Sequence, residues 1–211
     1  MRVSLLAMIF PVVLFFSSCT PFGNDAGSRP PPIRLNPHPV RAYRVVLTLD
    51  DAPGPFRKVE GVAEYTAKYR DEPGRTCGYM IGGVGAFIPL NWGEPFELKK
   101  TSEDTYEGVV HADGMLDEDH DGEGVCHGEM IEVRARLRAN DNQTDTRFVP
   151  FIRTSPGMIE ESETRYFWKG RYPRGGLDDF VEFGDTDTTG IREELRGQLF
   201  RMTLAMEGIE S

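Results

Sequence analysis

The chain has 211 residues, carries 34 acidic against 24 basic side chains for a net charge of −10, and is 39% apolar by residue. Nucleic-acid backbones are held by clustered lysine and arginine, so an acidic chain without a basic run excludes a nucleic-acid binder. The same charge gives no attraction to an anionic lipid surface, and the length suits one hydrophobic core.

Arg2 is followed by an unbroken apolar run from Leu5 to Phe16. A positive start and a run of this length read as a secretory signal, too short to span a bilayer. The next residues, Phe16-Ser17-Ser18-Cys19, resemble the lipobox of bacterial lipoproteins, with phenylalanine where leucine is usual. The resemblance implies cleavage after residue 18 and lipidation of Cys19. Thr20 stands where an aspartate would signal inner-membrane retention, which implies anchoring to the periplasmic face of the outer membrane. Membrane contact is then expected through the N-terminal lipid only. Residues 19–39, rich in proline and glycine with few apolar anchors, read as a flexible tether, and 40–211 as a single β-rich domain.

The domain opens where Tyr43, Val45, Leu47 and Leu49 alternate, the period of a half-buried strand. Asp50-Asp-Ala-Pro-Gly-Pro turns the chain, and a second strand is expected over about Phe56 to Tyr69. Cys77-Gly-Tyr-Met-Ile-Gly-Gly-Val-Gly follows. No Gly-Lys-Ser/Thr and no helix come after it, so its glycines suit a strand or bulge rather than a phosphate loop. Phe96 to Lys100 and Tyr106 to His111 form an expected hairpin around Thr101-Ser-Glu-Asp. From Glu129 onward Ile131, Val133, Ala135 and Leu137 face one side, and Glu132, Arg134, Arg136 and Arg138 the other. Pro150 marks Phe148 to Ile152 as an edge strand, and Thr164 to Tyr172 adds another. Last, Ile191, Leu195, Leu199, Met202 and Met206 draw one apolar stripe at helical spacing, predicting a C-terminal helix over 188–208 capped by Thr188 or Thr189. Short strands with frequent turns, plus one helix, predict a mainly β fold: an antiparallel sandwich or barrel.

With Cys19 taken by lipid, Cys77 and Cys126 remain as one pair in an oxidising compartment, and a disulfide is expected. It would close a loop of about fifty residues and stabilise the fold by roughly 4 kcal/mol in the chain-entropy model.

Asp117-x-Asp119-x-Asp121-Gly matches the first half of an EF-hand loop, with Glu123 beside it. Alternate carboxylates converge where the backbone curls, and the hard Ca²⁺ ion takes several oxygens, so Ca²⁺ is the expected cofactor at Asp117, Asp119, Asp121 and Glu123. The bidentate glutamate is displaced by one position, with Gly128 in its place and Glu129 following. A solvated acidic turn is the alternative. No paired-histidine spacing suggests zinc, and no Gly-x-Ser-x-Gly or unpaired domain cysteine offers a nucleophile, so no catalytic residue is assigned.

Around Gly124-Val-Cys-His-Gly-Glu the chain resembles lipid-anchored immunity proteins that stand beside effectors of type IV and type VI secretion systems. The resemblance implies a periplasmic inhibitor that neutralises an antibacterial effector, an envelope-targeting hydrolase, by plugging its active site. It transfers no contact residue. An acidic surface would steer a basic partner, and the acidic 113–123 loop is the first candidate for insertion. The alternative is a structural or calcium-binding envelope lipoprotein without a toxin partner.

Overall fold

The computed structural model describes residues 30–72, 74–81, 85–120, 122–155 and 160–209. Their strands are β1 (Ala42–Asp50), β2 (Lys58–Tyr69), β3 (Gly78–Ile81), β4 (Ala86–Pro89), β5 (Asn91–Phe96), β6 (Lys99–Lys100) and β7 (Thr105–His111). Then follow β8 (Glu118–Asp119), β9 (Val125–Arg138), β10 (Arg147–Phe148), β11 (Phe151–Arg153), β12 (Glu160–Trp168), β13 (Val181–Glu182) and β14 (Leu199–Gly208). One helical turn, α1 (Glu193–Arg196), precedes β14. The mainly β expectation holds.

One sheet runs β12-β14-β1-β7-β6 and the other β13-β10-β9-β2-β5, with β8 and β11 also pairing β9. The named pairs are antiparallel apart from β10 with β13. Period-two burial explains why the sheets face each other: Val45, Leu47 and Leu49 of β1 meet Ala63 and Tyr65 of β2 and Val133, Ala135 and Leu137 of β9 in one core. Apolar side chains on alternate residues can leave water only by facing a second sheet.

The C-terminal strand departs from expectation. Residues 199–208 are not helical; β14 lies between β12 and β1, paired from Tyr43↔Gly208 to Asp50↔Arg201. Met202 and Met206 fit a period of four and a period of two alike. The buried set is Phe200, Met202, Leu204 and Met206, which alternates, while Leu199 is only half-buried. Helix is confined to Glu193–Arg196, with Arg192 rather than a threonine at its N-cap.

In β9 the alternation slips once. Register against β2 shifts between Glu64 and Tyr65, so that Glu64 faces Glu132 and Tyr65 faces Met130. Ile131 is the extra residue of this bulge and points to solvent, and Met130 takes the core position. The expected inward set therefore loses Ile131 and keeps Val133, Ala135 and Leu137.

The segment read as a tether is described from residue 30, and from Ile33 it lies against the domain. Leu35 bridges Met115, Asn36 N–H donates to Gly114 O at 2.9 Å, and Leu116 N–H donates to Arg34 O at 2.9 Å. Asp113 accepts from the N–H of Val40 at 2.9 Å and of Arg41 at 3.0 Å. Proline-rich composition predicts poor burial, but backbone pairing along a loop needs little apolar surface.

Candidate functional site

Beyond the main core, a second apolar cluster gathers Ala67, Tyr69, Cys77, Leu90, Met115 and Cys126, with Ile33 and Trp92 against it. Here the N-terminal strap, the acidic loop and the β3–β4 hairpin meet. The Cys77–Cys126 disulfide is formed, with Cα atoms 6.2 Å apart across a separation of 49 residues. It joins the hairpin's base to β9. The base is also bonded to β2: Cys77 N–H donates to Ala67 O at 2.8 Å, and Ala67 N–H donates to Leu90 O at 2.9 Å.

Above this base, β3 and β4 pair with each other and, among the described residues, with no other strand. Met80 faces Phe87 across the pair and Ile81 faces Ala86, so apolar groups occupy both sides. Met80 is 47%, Ile81 38% and Phe87 49% exposed. From Cys77 to Gly93 the sequence holds no charged residue, although 27% of the chain is charged. A two-stranded ribbon cannot bury its own faces, and contiguous exposed apolar surface marks a contact site. Sequence reading placed these glycines in strand or bulge but missed the displayed hairpin. The available signal was an uncharged run with a glycine-rich centre between two apolar arms.

The expected metal residues are placed differently from one another. Asp117 is paired with Arg70, and Glu123 with Arg75, whose guanidinium also lies 4.2 Å over the Tyr69 ring. Asp119 Oδ1 accepts the Gly122 N–H at 2.6 Å, a local turn contact at a glycine whose φ is +80°. Asp121 and Cys19 lie outside the described residues. Among the described residues no group of three or more histidine, cysteine, aspartate or glutamate side chains converges. Among the described residues the loop's other carboxylates are also held internally, Glu118 by Arg34 and Asp113 by the strap's N–H groups. Arg34 lowers the Glu118 pKa through its hydrogen bond and charge. For Asp113 burial acts upward, and the Val40 and Arg41 N–H groups outweigh it, leaving the pKa lowered.

The loop is therefore pinned by cations rather than presented as a bare acidic prong. Beside it a groove of about 540 Å³ is lined by Arg41, Arg70, Asp117 and His127, among others. Among the described residues no helix is long and apolar enough to cross a membrane. Comparison with protein-family models, with curated proteins and with solved structures returned no match.

Proposed function

We propose that this chain is a lipid-anchored protein of the periplasmic face of the outer membrane that binds and neutralises an antibacterial secreted effector, an envelope-targeting hydrolase. The observation that carries the reading is the uncharged, exposed β3–β4 hairpin on its disulfide-tied base. A narrow apolar ribbon fixed at its root suits insertion into an enzyme cleft, where a few buried side chains dominate affinity. The hairpin replaces the acidic 113–123 loop as the inserting element, because Asp113, Asp117, Glu118 and Glu123 of that loop are engaged within the chain. Net charge −10 disfavours an anionic bilayer as the hairpin's occupant and favours fast encounter with a basic protein. The alternative, a structural or calcium-binding envelope lipoprotein, rests on the same loop and would require a cation to displace Arg70 and Arg75 from Asp117 and Glu123.

Periplasmic co-expression with the product of the adjacent gene tests the reading. The full chain should restore growth, and Cys19→Ala should lose metabolic labelling by a palmitate analogue. Continued killing in the presence of the labelled, secreted wild-type chain would refute the role for that pair.

A further inference from the structure

At the opposite end of β9, roughly 40 Å along the strand from Cys126, the outer face of the second sheet carries a cationic groove. Its volume is about 340 Å³, and its walls include Lys58, Glu60, Arg136, Arg138, Arg147 and Asp179. Four of these are cations in a chain of net charge −10. The arginines stand on paired strands, with Phe148 facing Leu137 in register, so their spacing is set by the sheet. Arg138 Nη2 and Arg147 Nη2 both donate to Asp179 Oδ1, each at 2.5 Å. One oxygen thus serves two guanidiniums. The buried Nε of each arginine has no acceptor among the described residues.

Asp179 comes from a loop rather than from the sheet. Its φ is +50°, and Gly176 three residues earlier has φ +90°. A left-handed aspartate costs free energy that the two ion contacts offset. Its side chain is about half exposed, and the neighbouring Leu177 is 67% exposed, so little packing holds the loop down. Arg147 first, then Arg138, keep the Asp179 carboxyl below its usual pKa range against the opposing effect of burial.

We infer that this groove is an oxyanion site for a phosphoryl dianion, and that Asp179 is an intrachain latch which the ligand displaces. Lys58 is paired with Glu60 and Asp141 and Arg136 with Glu64, so the charge available to a ligand is that of Arg138 and Arg147, which share Asp179 alone; displacing it leaves two guanidiniums uncompensated, which suits a dianion. Arginine forks take two phosphoryl oxygens side by side, and Lys58, held by Glu60 and Asp141, adds attraction at longer range. A phosphate monoester or a pyrophosphate group matches this surplus better than a single carboxylate. The site is independent of the hairpin and of any effector.

The test is calorimetric titration of the full chain in neutral detergent at fixed ionic strength, with inorganic pyrophosphate and, separately, dihexanoyl phosphatidic acid. Saturable binding of either supports the site, and the better ligand tells whether its source is a soluble phosphate or a lipid headgroup. Arg138→Gln with Arg147→Gln should weaken binding at least tenfold. If that pair fails to fold, Lys58→Gln with Arg136→Gln, which leaves the latch intact, should weaken it severalfold. Asp179→Asn tolerates the same backbone, and because a closed latch reduces affinity by the fraction of time it is open, removing it should tighten binding, by about tenfold for an open fraction of about one in ten. No saturable binding of either probe, indifference to the arginine changes, or an Asp179→Asn variant no tighter than wild type would each overturn the inference.

Discussion

Phe200→Ala separates a strand from a helix at the C-terminus more sharply than any other single change. The ring is 1% exposed, and its centroid lies 5.4 Å from Phe148, 5.5 Å from Phe167 and 6.3 Å from Phe56. Those partners come from β10, from β12 and from the residues just before β2, so the ring joins both sheets. Truncating a buried phenylalanine costs about 3–5 kcal/mol, and edge and tilted ring contacts contribute about 0.5–1.5 kcal/mol each within such totals. Against a folding stability on the order of 5–15 kcal/mol, a loss of about 4 kcal/mol is large. Leu199 is next in the chain but points away and is only half-buried, so Leu199→Ala should cost about 1 kcal/mol or less. The assay is urea denaturation of the oxidised full chain followed by tryptophan fluorescence, with both variants beside wild type. Equal losses for the two, or a larger loss for Leu199→Ala, would refute the alternation and restore a helical face.

Three further outcomes follow from the same geometry. Cys77→Ala with Cys126→Ala should lower stability by roughly 4 kcal/mol in the chain-entropy model, and amide exchange in 78–89 should rise more than in β1. Asp113→Asn should loosen the strap and cost about 1–3 kcal/mol at pH 7; because the folded Asp113 pKa is lowered, the wild-type advantage is full above the ordinary carboxyl range and fades as pH falls through it. In a denaturation series from pH 7 to pH 3, a gap that widens in acid would contradict that sign. If the acidic loop takes Ca²⁺, a millimolar Ca²⁺ shift in melting temperature should vanish in Asp119→Ala and grow in Arg70→Gln, since that arginine competes for Asp117; no shift in either wild type or Arg70→Gln would remove the cofactor.

Much of the sandwich was legible because its strands bury alternate residues. Tyr43 to Leu49 and the alternation of Val133, Ala135 and Leu137 were read from spacing, and the hairpin around residues 101–104 from its turn, although its first arm is only Lys99–Lys100 and Phe96 pairs with Gly61 in the other sheet. Three features were not, each for a physical reason. Met202 and Met206 satisfy both periods, and only Phe200 and Leu204 decide between them, by packing against distant strands. The bulge at Ile131 is fixed by pairing with β2, which local alternation cannot report. The strap at 33–41 is held by backbone donors and by Asp113, whereas composition reports chiefly burial. At the candidate site, the cysteine pair was legible from count, Cys77 and Cys126 being the two cysteines after residue 19. The acidic loop was legible as a carboxylate cluster, but its arginine partners sit 47 and 48 residues away in sequence. The hairpin's display follows from β3 and β4 having no third strand among the described residues, which spacing does not encode.

Inhibition kinetics test most directly whether the β3–β4 hairpin occupies an effector's cleft. The product of the adjacent gene would be assayed for envelope hydrolysis with increasing full-length wild-type protein or Met80→Asp with Phe87→Asp. Both substituted positions are solvent-exposed, so the variant should keep its melting temperature within a few degrees. Wild type should inhibit stoichiometrically, with an inhibition constant at least about a hundredfold weaker for the variant, as expected when two central apolar anchors are charged. Equal inhibition by both proteins would contradict the hairpin's role, and no inhibition by wild type at micromolar concentration would contradict the function itself.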